Sequence, residues 1–134
     1  MDTLKFDFVF LGQSILKYQV PLNIFNTINQ IYEQNYNNLY KANKQLVGKI
    51  ENEHSLFNSS DTKKMPKHNM LPIDVTDYFV KTFKHYLAFN KIRDYEMNLN
   101  SIWVNEMKQH EYNPAHVHRG ILFTGLSSVM VLKL

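Results

Sequence analysis

A histidine-rich segment between two strand-like runs constrains the fold of this chain more than any other feature. The flanking runs cover residues 99–107 and 126–134. Three of the six histidines lie within nine positions between them: His110, His116 and His118. Pro114 argues against a helix here, because the residue before a proline is biased towards extended backbone. The sequence therefore predicts two strands joined by a histidine-bearing connection.

The spacing His116-x-His118 has a direct geometric meaning. Residues two apart on a strand share a face and lie about 6.6 Å apart, so both imidazoles could converge on one metal ion. Val117 between them is β-branched and suits a strand. The spacing alone leaves two interpretations open, a metal-binding pair and a solvated polar loop.

The same region resembles one known family. The matching residues are Trp103-Val-Asn105-Glu-Met, then His110-Glu-Tyr-Asn113-Pro114-Ala-His116-Val-His118-x-Gly120, then Thr124-Gly125-Leu-Ser127-Ser-Val-Met-Val-Leu-Lys-Leu. This pattern is similar to the 2-oxoglutarate/Fe(II)-dependent oxygenases of marine bacteria and tailed phages. A weaker similarity covers residues 12–18 and 46–51. The resemblance implies a double-stranded β-helix (jelly roll), with Fe(II) and 2-oxoglutarate as cofactors.

The chain departs from that family at two points. Such oxygenases hold iron with His-x-Asp or His-x-Glu and a distal His, whereas His118 occupies the carboxylate position here. The distal His and the basic residue that binds 2-oxoglutarate normally follow several strands later, and the sequence ends at Leu134. Neither Arg119 nor Lys133 matches that basic residue. We therefore expect a single, incomplete oxygenase-like domain over residues 1–134, with an open sheet edge that favours self-association.

Four further residues are candidates for cofactor or substrate binding. Trp103 and Asn105 share a strand face, where an amide beside an indole could fix a small ligand. A partly exposed sheet face is the alternative. Tyr112 and Asn113 precede the histidine pair and could either orient a ligand or shape a turn. No catalytic residue is assigned, and His116 and His118 are the predicted metal ligands, with His110 a weaker third.

The rest of the chain predicts helices beside strands. Alternation indicates strands at residues 4–10 and 15–20, which could pair as a hairpin. Apolar residues recur with helical spacing over residues 21–44 and again from Pro72 to Asn90, where Asp74 is the predicted cap. Residues 45–53 are a strand or a helix tail, and the run from Asn58 to Pro66 is a loop. The predicted fold is α+β: a partial jelly roll buttressed by two helices in the N-terminal half. His54, His68 and His85 are expected at the surface.

Composition limits the partners. The net charge of +3 is spread along the chain, and only Lys63 and Lys64 are adjacent basic residues, so we expect no nucleic-acid partner. No apolar run reaches the ~18 residues of a membrane span. The absence of cysteine is typical of a reducing cytoplasm, which would be the host cytoplasm for a phage protein.

Three functions follow from these observations. The first is hydroxylation of an unknown substrate by a 2-oxoglutarate/Fe(II)-dependent oxygenase. The second is a noncatalytic fragment, or a virion or interaction module, that keeps the fold without the complete metal triad. The third is a cupin-like, histidine-rich zinc site, which would need His110 to reach the same ion.

Overall fold

A computed structural model describes residues 4–10, 14–41, 48–58, 68–115 and 125–133 of the chain. These residues form a mixed α+β structure, as predicted. The elements are β1 (Phe6–Phe10), β2 (Ser14–Tyr18), α1 (Leu22–Asn35), β3 (Tyr40–Lys41), β4 (Asn52–Asn58), β5 (His68–Asn69), α2 (Ile73–Phe89) and β6 (Ser101–Glu106). Within the described ranges, neither helix is long and apolar enough to cross a bilayer.

The chain divides into two compact units. One comprises Met1–Ile31 and Leu71–Leu99, and the other comprises Tyr32–Met70 and Asn100–Leu134. The first unit contains β1, β2 and α2, and the second contains the other strands. The boundary falls within α1, whose last turn belongs to the second unit.

In the first unit, the predicted hairpin is confirmed. β1 and β2 pair antiparallel, with Phe6 opposite Tyr18. The aromatic face of the hairpin packs on α2, where the Phe6 ring meets His85 edge-on at 4.8 Å between centroids. The Tyr18 hydroxyl lies 2.9 Å from His85 Nδ1. His85 is half-buried, so the prediction that it is solvated is met only in part, because the hairpin covers some of this side of α2.

The second helix lies close to its predicted bounds. Val75 on its apolar stripe is fully buried. Its N-cap is Pro72, however, and no side chain caps it, so the prediction of Asp74 as the cap is wrong. Asp74 lies in the first turn instead, where a negative charge still favours the helix dipole.

The first helix ends much earlier than its apolar periodicity suggests. Predicted to reach residue 44, α1 stops at Asn35. The carbonyl of Asn35 accepts hydrogen bonds from the amides of Asn38 and Leu39 at 2.8 and 3.1 Å. Asparagine is a weak helix former, and the chain turns here so that Tyr40 and Lys41 can pair with β4.

The second unit is built around β4. This strand pairs antiparallel with β3 and β5 along one edge and with β6 along the other. A bulge between Ser55 and Phe57 shifts the register with β6. All of Asn52–Leu56 is buried, and Leu56 is fully so. The predicted strand at 99–107 is confirmed as β6.

The second strand-like run, predicted over residues 126–134, differs from the first in its described part. Residues 125–133 carry no strand, so the prediction of a strand at 126–134 is wrong over this range. Val129 is 95% exposed and Val131 is 60% exposed. Alternating apolar residues favour a strand only where a neighbouring strand supplies hydrogen bonds, and the described residues supply none here.

Candidate functional site

The strand β6 presents Trp103 and Asn105 on one face. Residues directly opposite in an antiparallel pair share a face, and these two lie opposite Ser55 and Glu53 of β4. Ser55 and Glu53 are buried, whereas Trp103 is 38% exposed and Asn105 is also exposed. The proposed ligand face therefore joins an accessible indole and amide to two buried polar groups.

A hydrogen-bonded turn follows β6. The amide of Glu111 donates to the carbonyl of Lys108 at 3.0 Å, and His110 occupies the turn with a φ of 69°. The two carboxylate oxygens of Glu111 accept bonds from the backbone amides of Lys108 at 2.8 Å and Glu51 at 3.0 Å. These bonds, led by the one from Lys108, hold the pKa of Glu111 below its usual range. Glu111 thus ties the turn to the start of β4, and its oxygens are already engaged.

The chain is then anchored at Tyr112. Lys49 and Tyr112 exchange two backbone hydrogen bonds of 2.9 and 3.0 Å, forming an isolated antiparallel bridge. Gly48 permits this approach, because an added Cβ would collide with the Tyr112 carbonyl oxygen and lie 2.8 Å from Pro114 Cδ. Tyr112 is 58% exposed and Asn113 is also exposed. We refer to residues 112–114 and their contacts with Gly48 and Lys49 as the anchor.

The predicted metal ligands His116 and His118 lie outside the described residues. Within the described part of the chain, no three His, Cys, Asp or Glu side chains gather as a metal site. Two imidazoles suit iron, zinc, copper or nickel, so this pair fits such an ion by its donor chemistry. Of the described residues closest in sequence to this pair, Glu111 is committed to two backbone amides and His110 is exposed in its turn, so neither is identified as a third ligand.

The structure also reveals a polar cluster that the sequence did not indicate. His54, expected at the surface, is fully buried on β4. Its ring packs against Tyr32 and Tyr36, with centroids 5.6 and 4.7 Å apart. Its Nδ1 lies 3.2 Å from the Tyr32 hydroxyl. The prediction was wrong because His54 was assigned by its polar neighbours in sequence, whereas β4 is covered on both faces. The usual sequence signal of a buried strand is an uninterrupted apolar run, and the polar residues 52–55 do not form one.

Glu106 of β6 binds the polar side of this cluster. Its Oε2 accepts bonds from the Tyr36 hydroxyl at 3.4 Å and the Asn52 amide at 3.3 Å. Lys41 in turn donates to Asn52 Oδ1 at 3.3 Å. We call these six residues the His54 cluster: Tyr32, Tyr36, Lys41, Asn52, His54 and Glu106.

Burial sets the protonation of the cluster. Desolvation, and then the positive charge of Lys41, lower the pKa of His54, so its neutral form is favoured. Desolvation also raises the pKa of Tyr32, with a hydrogen bond to Glu106 adding to the effect. Among the described residues, no group bonds His54 Nε2. An unpaired buried polar atom costs about 1–3 kcal/mol, so this nitrogen lowers the stability of the folded state.

No protein-family model, curated protein or solved structure matches this chain.

Proposed function

We propose that this chain is a metal-binding module of the 2-oxoglutarate/Fe(II)-dependent oxygenase type, built on part of a jelly roll. His116 and His118 would hold the ion. Trp103 and Asn105 would line the ligand face, with Tyr112 and Asn113 beside its entrance. The proposal rests on the sequence pattern and is supported by the anchored backbone that precedes the histidine pair.

The anchor is the observation that supports this proposal best. Two backbone hydrogen bonds fix Tyr112 four residues before His116, and Pro114 restricts the chain between them. A His-x-His chelate requires both imidazoles on one side of an extended backbone. Because the anchor fixes the preceding residues, less conformational entropy would be lost when the two imidazoles are held in that way.

We expect the proposed metal to bind with modest affinity. Two neutral imidazoles offer little charge compensation to a divalent cation. Iron with 2-oxoglutarate and O₂ would supply the oxidising chemistry of hydroxylation. The residues of this chain would bind and orient: the indole of Trp103 offers an apolar surface, and the amide of Asn105 offers hydrogen bonds to a polar ligand.

Metal titration tests the proposal directly. The chain should bind Mn(II), used as an air-stable surrogate for Fe(II), and His116→Ala should abolish that binding. His110→Ala is the matched control for the oxygenase-type pair, since His110 lies in an exposed turn. Loss of binding in His110→Ala as well would favour the cupin-like zinc site. Equal binding by the wild type and the His116→Ala, His118→Ala double variant would refute metal binding by this pair.

Turnover separates binding from catalysis. With Fe(II), ascorbate and 2-oxoglutarate, we expect these 134 residues to release little or no succinate, because the described residues offer no cluster that would complete the metal site. Succinate release that His116→Ala abolishes would instead show that a further residue completes the metal site.

A noncatalytic interaction module is the second candidate. The exposed apolar side chains of Leu126, Val129 and Val131 favour it, since an extended apolar segment can add a strand to a sheet edge. We expect self-association through this segment, measured by sedimentation velocity over a concentration series. A Val129→Lys, Val131→Lys variant should remain monomeric. A wild-type chain that stays monomeric at high concentration would contradict this candidate.

A further inference from the structure

The end of α1 and the turn that follows it contact the buried imidazole of His54. Tyr32 in the last turn of α1 and Tyr36, just after the helix, both pack their rings on His54. The two tyrosine rings also meet each other edge-on at 5.6 Å. Any change in the charge of His54 therefore acts directly on the contact between α1 and β4.

The contacts of the two ring nitrogens favour one tautomer of His54. In a neutral imidazole one nitrogen carries the proton and the other a lone pair. Nδ1 lies 3.2 Å from the Tyr32 hydroxyl, whereas Nε2 has no partner among the described residues. The Nδ1–H tautomer places the single N–H of the ring at the nitrogen that has a partner, and it leaves the buried lone pair on Nε2.

The groups around His54 do little to stabilise the positive charge that an added proton would bring. The titratable and charged groups that face it are Tyr32 on α1, Tyr36 in the turn that follows α1, Lys41 on β3 and Glu106 on β6. Lys41 lies directly opposite His54 in the β3–β4 register. The Glu106 carboxylate is already bonded to Tyr36 and Asn52. A proton on Nε2 would thus place a second cation beside Lys41, without a described acceptor for the new N–H.

We propose that His54 is a proton-operated latch, which holds the end of α1 on β4 while it is neutral and releases that end when it is protonated. This device does not depend on the metal proposal. Its protonated state would expose the ring faces of Tyr32 and Tyr36 and free the Glu106 carboxylate. Nε2, which carries the buried lone pair, is the atom that accepts the proton.

The sign of the effect follows from the direction of the pKa shift. The folded pKa of His54 lies below the value of 6.5 for the open state, so the latched state binds fewer protons than the open one. The latch is therefore fully closed above pH 6.5 and opens as the pH falls towards the folded pKa. Over that window, linkage of one proton raises the opening equilibrium by up to about tenfold per pH unit.

Hydrogen exchange of the last turn of α1, residues 32–35, measures the opening. After correction for intrinsic exchange rates, lowering the pH from 7.5 to 5.5 should speed exchange there. His54→Gln should remove at least half of this acceleration. His110→Gln replaces an exposed histidine and should behave as the wild type. Unchanged acceleration in His54→Gln would overturn the proposal.

Two measurements protect the test against a variant that fails to fold. In the wild type, nitrogen-15 spectra of the His54 side chain should show a proton on Nδ1 at pH 7.5, and an Nε2–H tautomer would contradict the latch. Lys41→Gln retains an exposed polar side chain and removes the cation opposite His54. This variant should raise the pKa of His54 towards 6.5 and reduce the pH-dependent opening. An unchanged titration of His54 would contradict the role given to the positive charge of Lys41 in the latch.

Discussion

Replacing Gly48 with alanine tests the anchor. The added Cβ would meet the Tyr112 carbonyl and Pro114 Cδ, and the nearest obstacles are backbone and a rigid ring, which cannot turn aside. The two hydrogen bonds between Lys49 and Tyr112 would then lengthen or break. Each contributes about 1 kcal/mol net, and overpacking costs about 1–3 kcal/mol. Local relaxation offsets part of the sum, so we expect Gly48→Ala to lower the free energy of unfolding by about 2–4 kcal/mol.

Guanidinium denaturation monitored by Trp103, the single tryptophan, provides the assay. Lys49→Ala is the matched control, because the Lys49 side chain is exposed and its backbone makes the bridge. That control should stay within about 0.5 kcal/mol of the wild type. A Gly48→Ala chain within the same margin would refute the close approach of residues 112–114. If the anchor also positions His116, Gly48→Ala should weaken Mn(II) binding, whereas Lys49→Ala should not.

Three other substitutions test single features of the second unit. His110→Gly should stabilise the chain by up to about 1 kcal/mol in thermal denaturation, because glycine relieves the cost of a left-handed backbone. A lower Tm would contradict this. Leu56→Ala should cost about 2–5 kcal/mol, since the side chain is fully buried. Its control Val129→Ala, at an exposed position, should be nearly neutral. Glu111→Gln should remove the stability that the wild type loses as the pH falls below 4.5, because the folded pKa of Glu111 lies below that value. An identical acid limb of the stability profile in both proteins would disprove this assignment.

Local patterns in the sequence were sufficient where an element is defined by its own residues and one apolar face. The alternating aromatic residues of 4–10 predict β1, and the spacing from Val75 to Leu87 predicts α2. The strand at β6 was likewise evident from residues 99–107. In each case the side-chain periodicity is the period of the backbone itself, and it needs no knowledge of distant residues.

The candidate site was predictable in part. Trp103 and Asn105 share a strand face by alternation alone, and the register with Ser55 and Glu53 came only from the pairing of β4 with β6. The anchor could not be read from Gly48, because its close partners lie more than sixty positions away in the chain. The roles of His116 and His118 remain a prediction.

Tertiary structure decided the features that depend on which surfaces meet. The helical spacing of Tyr32, Tyr36 and Tyr40 predicts one helix, yet Tyr40 lies in β3, because strand pairing with β4 satisfies its backbone groups instead. His54 has polar and charged neighbours in sequence, and yet it is buried, with the rings of Tyr32 and Tyr36 packed against its own. Sequence determines which side chains lie on the same side of a local element. The burial and protonation of His54 are set by what packs over that side, and those partners come from distant parts of the chain.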